Sequence, residues 1–301
     1  MYVITGVTGH TGKVAAEALL ARGEKVRVVV RDAKKGEAFA QKGAEVAVAD
    51  LGDAAALTKA LAGAKGAYLL LPPNMAAADF LAFQRATAES IASAVHAARV
   101  PHVVLLSSIG ADKPSGNGPI AGLYWLEHAI NANGGTALTA IRAGYFMENI
   151  GGSLGALAHG QLPSFFPADW PMEAVATKDI GELAASLLLE GGKGFSVVEL
   201  SSPLSHNQIA DAIGRITGKR PVVAVYPAEA QAQTLQGYGL PAQISGLYQE
   251  MTIGFLSGHI TKVPGARHIA GKTPVDDVLR GLLGARRLEG PRRRDRRQAA
   301  T

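Results

Sequence analysis

The chain has 301 residues, 48% hydrophobic and 18% charged, with no cysteine. That length and composition suit one large α/β domain or a core domain with a small lobe. They exclude global disorder, disulfides, thiolate metal sites and cysteine nucleophiles. The net charge of +5 sits between Arg286 and Thr301, where seven arginines accompany two acids, so the rest of the chain is neutral and the basicity does not mark a nucleic-acid-binding face.

Tyr2 to Thr5 reads as a buried strand, and Gly6, Gly9 and Gly12 follow at three-residue spacing before a helix over Lys13 to Arg22. Val26 to Val30 is a second apolar strand, ending on Arg31. Glu45 to Ala49 is the third strand, with a helix near Ala54 to Leu61 after it, and Ala67 to Leu71 is the fourth. Ala78 to Ala98 has the period of a long amphipathic helix. Val103 to Leu106 is the fifth strand, Ile120 to Asn133 a helix stopped by Gly134 and Gly135, and Ala137 to Arg142 the sixth strand. Such alternation predicts an α/β Rossmann-type fold, a doubly wound parallel sheet with right-handed crossovers.

Beyond residue 150 the alternation weakens and glycine and proline become frequent. Val197 to Leu200 still reads as a buried strand that rejoins the main sheet; Asn207 to Gly218 is a helix and Val222 to Tyr226 a strand. The expected organisation is a nucleotide-binding domain over residues 1–150, a smaller interleaved substrate lobe over 151–285, and a basic, disordered tail over 286–301. No basic-then-apolar leader and no apolar run near the roughly 18 residues of a membrane helix are visible, which predicts a cytoplasmic protein without membrane contact. The oligomeric state, monomer or homodimer, is open.

The glycine triplet carries the functional reading. A strand, a glycine turn and a helix N-terminus together aim backbone N–H groups at a pyrophosphate. Gly6 permits the turn, Gly9 lets the backbone approach phosphate, and Gly12 lets the helix pack close to the sheet; Thr8, His10 and Thr11 complete the cradle. A structural turn explains one or two of these glycines, but not the triplet followed by a charged strand end about 20 residues on. An acid at that strand end would accept from a ribose 2′-hydroxyl; Arg31, with Lys34 and Lys35 behind it, favours a 2′-phosphate instead. NADP(H) is therefore the preferred cofactor, with NAD(H) as the other possibility. Asp50 and Leu51 are placed at the adenine, although Asp50 or Asp53 also suits a helix cap. Leu71 and Pro72 at the end of the fourth strand and Ser107 at the end of the fifth line the same crevice.

The run Arg142-Ala143-Gly144-Tyr145-Phe146-Met147-Glu148-Asn149 resembles the Arg-Pro-Gly-x-Phe-Met-x-Asn segment of NmrA-like proteins, a group of atypical short-chain dehydrogenase/reductases, with Ala143 in place of proline. Glu127, fifteen residues earlier, matches a helix glutamate of that family. The stretches Val175 to Leu187 and Ser205 to Gly218 are similar to its later helices, so the likeness spans roughly residues 2 to 285. It implies an NAD(P)-binding fold, with relatives among NADPH-dependent quinone or dye reductases, isoflavone-type reductases and non-catalytic redox sensors. It also implies that Tyr145, Phe146 and Asn149 lie near the nicotinamide, and that Arg142 and Glu127 form a buried pair.

Dehydrogenases of the wider superfamily pair a tyrosine with a lysine four residues on, whose ammonium lowers the phenol pKa for proton transfer. None of the seven tyrosines here has lysine at that spacing, and the lysine of NmrA-like reductases falls at Gly122. Carbonyl reduction, alcohol oxidation and nucleotide-sugar epimerisation lose support. Two readings remain. In the first, hydride passes to a small aromatic acceptor, a quinone or dye, with Tyr124 and His128 as a weak acid pair or with Tyr145 or Ser108 assisting. In the second, the chain binds NADP(H) without turnover and signals to a partner. The eight histidines show no metal-ligand spacing, and no nucleophile elbow follows a strand.

Overall fold

The computed structural model describes residues 1–288. In chain order the first half contains β1 (Tyr2–Ile4), α1 (His10–Ala21), β2 (Val26–Val30), α2 (Glu37–Ala40), β3 (Glu45–Val48), α3 (Ala54–Leu61), β4 (Gly66–Leu70), α4 (Phe80–Ala97), β5 (His102–Ser108), α5 (Ala121–Asn131) and β6 (Ala137–Ala143). The second half contains β7 (Tyr145–Phe146), α6 (Leu154–Leu157), β8 (Gln161–Ser164), β9 (Met172–Val175), α7 (Thr177–Glu190), β10 (Phe195–Leu200), β11 (Ser202–Leu204), α8 (His206–Thr217), β12 (Val222–Val225), α9 (Gln231–Gly237), α10 (Ala242–Leu256), β13 (Arg267–Ile269) and α11 (Val275–Leu288).

Eight strands form one sheet in the order β13-β10-β6-β5-β4-β1-β2-β3, and every pairing within it is parallel. The strand order reverses between β1 and β4, so a crevice opens beyond their carboxyl ends. Side-chain alternation makes two cores from one sheet. Ile4, Val28, Tyr68, Val104 and Ile141 face Ala15, Ala16 and Leu19 of α1 and Ile180, Ala184 and Leu187 of α7. Val3, Val29, Leu69, Val103 and Leu138 face Leu57 of α3, Ile91 and Val95 of α4, and Leu126 and Ile130 of α5. Each fully buried Val, Leu or Ile side chain among them contributes about 1.5–3 kcal/mol of transfer free energy.

The remaining elements build the lobe over the carboxyl ends of the strands. β7 and β11 flank β9 in a three-stranded sheet, and β12 pairs with β8. Met147, Ile150, Leu162, Met172, Ile209, Ile213 and Leu279 make its core. The lobe is threaded through the large sheet: β10 pairs with β6 along its whole length, and α7 packs on α1. Close approach of α7 to α1 needs a glycine, since a Cβ at Gly181 would lie 2.6 Å from the Thr11 carbonyl oxygen. Helix α11 continues to Leu288, so the first three residues assigned to a disordered tail are helical; the rest of that tail lies outside the described residues.

α1 begins at His10, three residues earlier than the pattern suggests. The glycine turn closes within four residues, Gly9 N–H donating to the Gly6 carbonyl at 2.9 Å, so Gly12 falls inside the first helical turn. The lobe strands β7, β8, β9 and β11 were not anticipated; they have two to four residues each, too short for a clear period.

Candidate functional site

The opening turn shows why three glycines stand there. Gly6 has φ +66°, and a Cβ on it would lie 2.4 Å from Leu70 Cδ2 at the end of β4. At Gly12 a Cβ would lie 2.3 Å from the Thr5 carbonyl oxygen, so glycine alone lets α1 rest on the end of β1. Gly9 is the N-cap of α1, with extended backbone, no side-chain cap and no acid in the first turn. By contrast α3, α4 and α8 are capped by Asp53, Asp79 and Ser205, and Glu148 accepts from Thr177 N–H and O–H at the head of α7. The N–H groups and positive dipole end of α1 are therefore free for an anion. Thr8, Gly9 and His10 are exposed on this turn. Thr11 is buried; its Oγ1 accepts from Tyr68 O–H at 2.9 Å, and burial holds that phenol well above its ordinary pKa.

Arg31 follows β2 at the same edge of the sheet, exposed and without a hydrogen bond or ion pair. Its neighbour Asp32 is engaged locally, accepting from Lys34 N–H at 3.1 Å. Asp50 accepts from Gly52 N–H at 2.8 Å through Oδ1, while Asp53 is the cap of α3. Leu51 packs at the rim of the core beneath α3. Across the switch point Leu71 is buried, and the Pro72 carbonyl accepts from Gln84 Nε2 at 3.0 Å.

Gly122 of α5 has little room for a side chain. A Cβ on Gly122 would lie 2.5 Å from Gln84 Oε1 and 2.8 Å from Leu71 Cδ2. Gln84 was not singled out from the sequence. Its signal is a polar residue inside the apolar stripe Phe80, Gln84, Thr87, Ala88, Ile91 on α4.

Ser107 belongs to a buried polar network, not to the open crevice wall. Its hydroxyl donates to Glu127 Oε1 at 2.5 Å, and Arg142 grips the same carboxylate through Nε at 3.1 Å and Nη2 at 2.6 Å. Asp112 approaches Arg142 at 3.8 Å. Glu199, opposite Arg142 in register and 1% exposed, accepts from Val263 N–H at 2.8 Å. Its Oε2 lies 2.9 Å from His268 Nδ1, near enough for charge attraction but outside hydrogen-bond geometry. Burial raises the Glu199 carboxyl pKa, with the Val263 N–H, His268 and Arg142 opposing.

The rings of Tyr124 and His128 lie against each other, centroids 4.0 Å apart and tilted by 36°, but no bond joins hydroxyl to imidazole. His128 Nδ1 is turned to the Tyr124 carbonyl at 2.8 Å, as its place one turn on dictates, so the two do not form the acid pair anticipated for them. Tyr145 follows Gly144, where a Cβ would lie 2.5 Å from the Glu173 carbonyl oxygen, at the carboxyl end of β6. It keeps 38% of its surface exposed, yet its hydroxyl end is crowded; that burial, with the Tyr248 phenol second, pushes its pKa up to about 12. Phe146 packs against the sheet core and Met147 lies inside the lobe core. Asn149 is exposed on the following 3-10 turn. Among the described residues no group of three His, Cys, Asp or Glu side chains could hold a metal, and no helix is long and apolar enough to cross a membrane.

An open parallel sheet with a glycine turn feeding an uncapped helix at its switch point defines an α/β protein of Rossmann type. Within that class the chain belongs to the NmrA-like family, whose model matches residues 2–255. It is 28% identical over 265 residues to quinone oxidoreductase 2 of Escherichia coli strain K12, covering 86% of this chain and 89% of that protein. It is 23% identical over 275 residues to an NAD(P)H azoreductase of Xenophilus azovorans, covering 88% and 92%. In structure it resembles a crystal structure of an NADPH-dependent quinone oxidoreductase of Escherichia coli in complex with NADPH. The TM-score is 0.77 at 25% identity, covering 94% of this chain and all of that one.

Proposed function

We propose that the chain is an NADPH-dependent reductase that passes hydride to a quinone- or dye-like aromatic acceptor. The observation that carries it is the open phosphate cradle at α1 with an unpaired guanidinium, Arg31, at the end of the neighbouring strand. Family membership and the named activities of the relatives, a quinone oxidoreductase and an azoreductase, support the same reading.

In this reading the backbone N–H groups from Gly9 to Gly12 hold the diphosphate, and Arg31 takes the 2′-phosphate. Asp50 and Leu51 border the adenine, and Leu71, Pro72, Tyr145, Phe146 and Asn149 border the nicotinamide end. Ser107, through Glu127 and Arg142, keeps the ends of β5 and β6 in register beneath it. The cofactor, when bound, supplies the hydride; the protein's part is to stack an acceptor against it and exclude competing geometry. Gln84 and Leu71 occupy the space of a proton-relay lysine, so protons come from solvent, which suits acceptors that take hydride without acid help. A cytoplasmic setting fits a chain without cysteine.

The test is loss of nicotinamide absorbance when the protein, NADPH and a panel of quinones, azo dyes and triarylmethane cations are mixed. Turnover with at least one acceptor is expected. Tight NADP(H) binding with no turnover would replace this reading by that of a redox sensor. The filled Gly122 position is the feature that favours it.

A further inference from the structure

Behind the phosphate cradle a tyrosine stands where packing alone asks only for an apolar side chain. Tyr68 is the middle residue of β4, fully buried in the core that holds Ile4, Val28 and Val104. Its hydroxyl donates to Thr11 Oγ1 at 2.9 Å and has no other hydrogen-bond partner among the described residues. Its backbone serves the same corner, since the Tyr68 carbonyl accepts from both the N–H and the O–H of Thr5 at 3.0 Å. Tyr68 therefore joins the two ends of the glycine turn: Thr5, just past β1, and Thr11, in the first turn of α1.

The bond from Tyr68 to Thr11 is not there for stability. Replacing both partners of a buried hydrogen bond by apolar groups of the same shape is nearly neutral, so phenylalanine opposite valine would fill this space as well. What the polar pair adds is direction. Burial keeps the phenol neutral, so its proton stays on oxygen and Thr11 is the acceptor. Thr11 is the second residue of α1, and its backbone N–H is among the free donors of that uncapped helix end. Gly12 against Thr5 and Gly181 against Thr11 set how closely the turn approaches β1 and α7. Among the described residues the Tyr68 hydroxyl is the hydrogen-bond partner that fixes the Thr11 side chain.

We propose that Tyr68 is a positioning residue for the cofactor diphosphate: through Thr11 it fixes the first turn of α1, whose N–H groups from Gly9 to Gly12 take the two phosphates. This deepens the cofactor reading and rests on it, and it holds for a reductase and a redox sensor alike. It is separate from the part of Arg31, which lies past β2 and answers to the 2′-phosphate. Loss of the Tyr68 hydroxyl should weaken what the diphosphate contributes to binding and leave the 2′-phosphate contribution in place.

Tyr68→Phe keeps the ring and removes the hydroxyl. By calorimetry, the dissociation constants of NADPH and NADH should both rise about 3- to 10-fold, with their ratio unchanged. Affinity for adenosine 2′-monophosphate, which reaches Arg31 but carries no diphosphate, should stay within about twofold. Tyr68→Phe combined with Thr11→Val leaves no orphaned hydroxyl. Its Tm should return close to the wild-type value while NADPH binding stays weak, so the double variant decides the matter where the single one folds poorly. Wild-type NADPH affinity in either variant, or an equal loss for all three ligands, overturns the role of Tyr68. A wild-type protein that takes up the 2′-monophosphate but neither dinucleotide overturns the diphosphate reading of the cradle itself, and the positioning falls with it.

Discussion

Arg31 and Asp32 are adjacent, of opposite charge and both exposed, yet only Asp32 has local work, as the acceptor for Lys34 N–H. The guanidinium is left for a ligand. A charge-assisted bond to phosphate is worth about 1.5–3 kcal/mol net, or roughly 10- to 100-fold in affinity. Arg31→Asp should therefore lower the preference for NADPH over NADH by about that factor, read as the ratio of two dissociation constants; an unchanged ratio would remove Arg31 from the site. A second expectation concerns Glu199, whose carboxyl burial holds above its ordinary value of 4.5. The folded protein then binds that proton more tightly than the unfolded chain does. This contribution to stability is complete below the unfolded pKa and is lost as pH rises through the folded one. Glu199→Gln carries a neutral isostere, so the stability of the wild type relative to the variant should decline from about pH 4.5 upward in denaturant titrations. Parallel profiles would show that Glu199 does not titrate in the folded protein as described. At this scale the phosphate glycines were legible because each answers to a local contact. Gln84 was not, because its meaning depends on what Gly122 of α5 brings to it from elsewhere in the chain.

Among the elements, α10 depends on side-chain attachments more than the sheet helices do. Gln243, at the start of α10, joins segments 163 residues apart through two hydrogen bonds, one of them to the N-cap carboxylate of α4. Gln243→Ala should cost about 1 kcal/mol of global stability, since it removes one exposed and one part-buried hydrogen bond. Its larger effect should be local: amide exchange across residues 231–256 should accelerate while β1, β4 and β5 stay protected. Equal acceleration everywhere would mean that α10 opens only with the whole protein. The sheet strands could be read from the chain because Val3 and Ile4, Val28 and Val29, and Tyr68 and Leu69 are apolar on both faces. Apart from β12, the lobe strands could not. β8 carries Pro163 within it, and β11 finds β9 about 30 residues away, so no local pattern announces either pairing.

For the whole molecule, the two sheet cores and the lobe core share one route through space. The chain leaves the large sheet after β6, builds β7 to β9, returns through α7 and β10, leaves again, and returns a last time at β13. The α/β pattern weakens after residue 150, a few residues beyond β7, the first strand outside the large sheet. That weakening does not mark a point where the main sheet is complete, since β10 and β13 are still to come. Legibility therefore falls where contacts become long-range, and the candidate crevice lies at that boundary, with a phosphate end written locally and an acceptor end assembled from distant segments.

The packing of α7 on α1 has a consequence for biosynthesis. Roughly 165 residues separate the two helices, and a ribosome adding about 5–20 residues per second needs on the order of 10–30 s to deliver the second after the first. Throughout that interval the flank of α1 around Val14 and Ala18 has no mate. A nascent chain in that state carries a half-built core, with the apolar flank of α1 open to water until α7 is made.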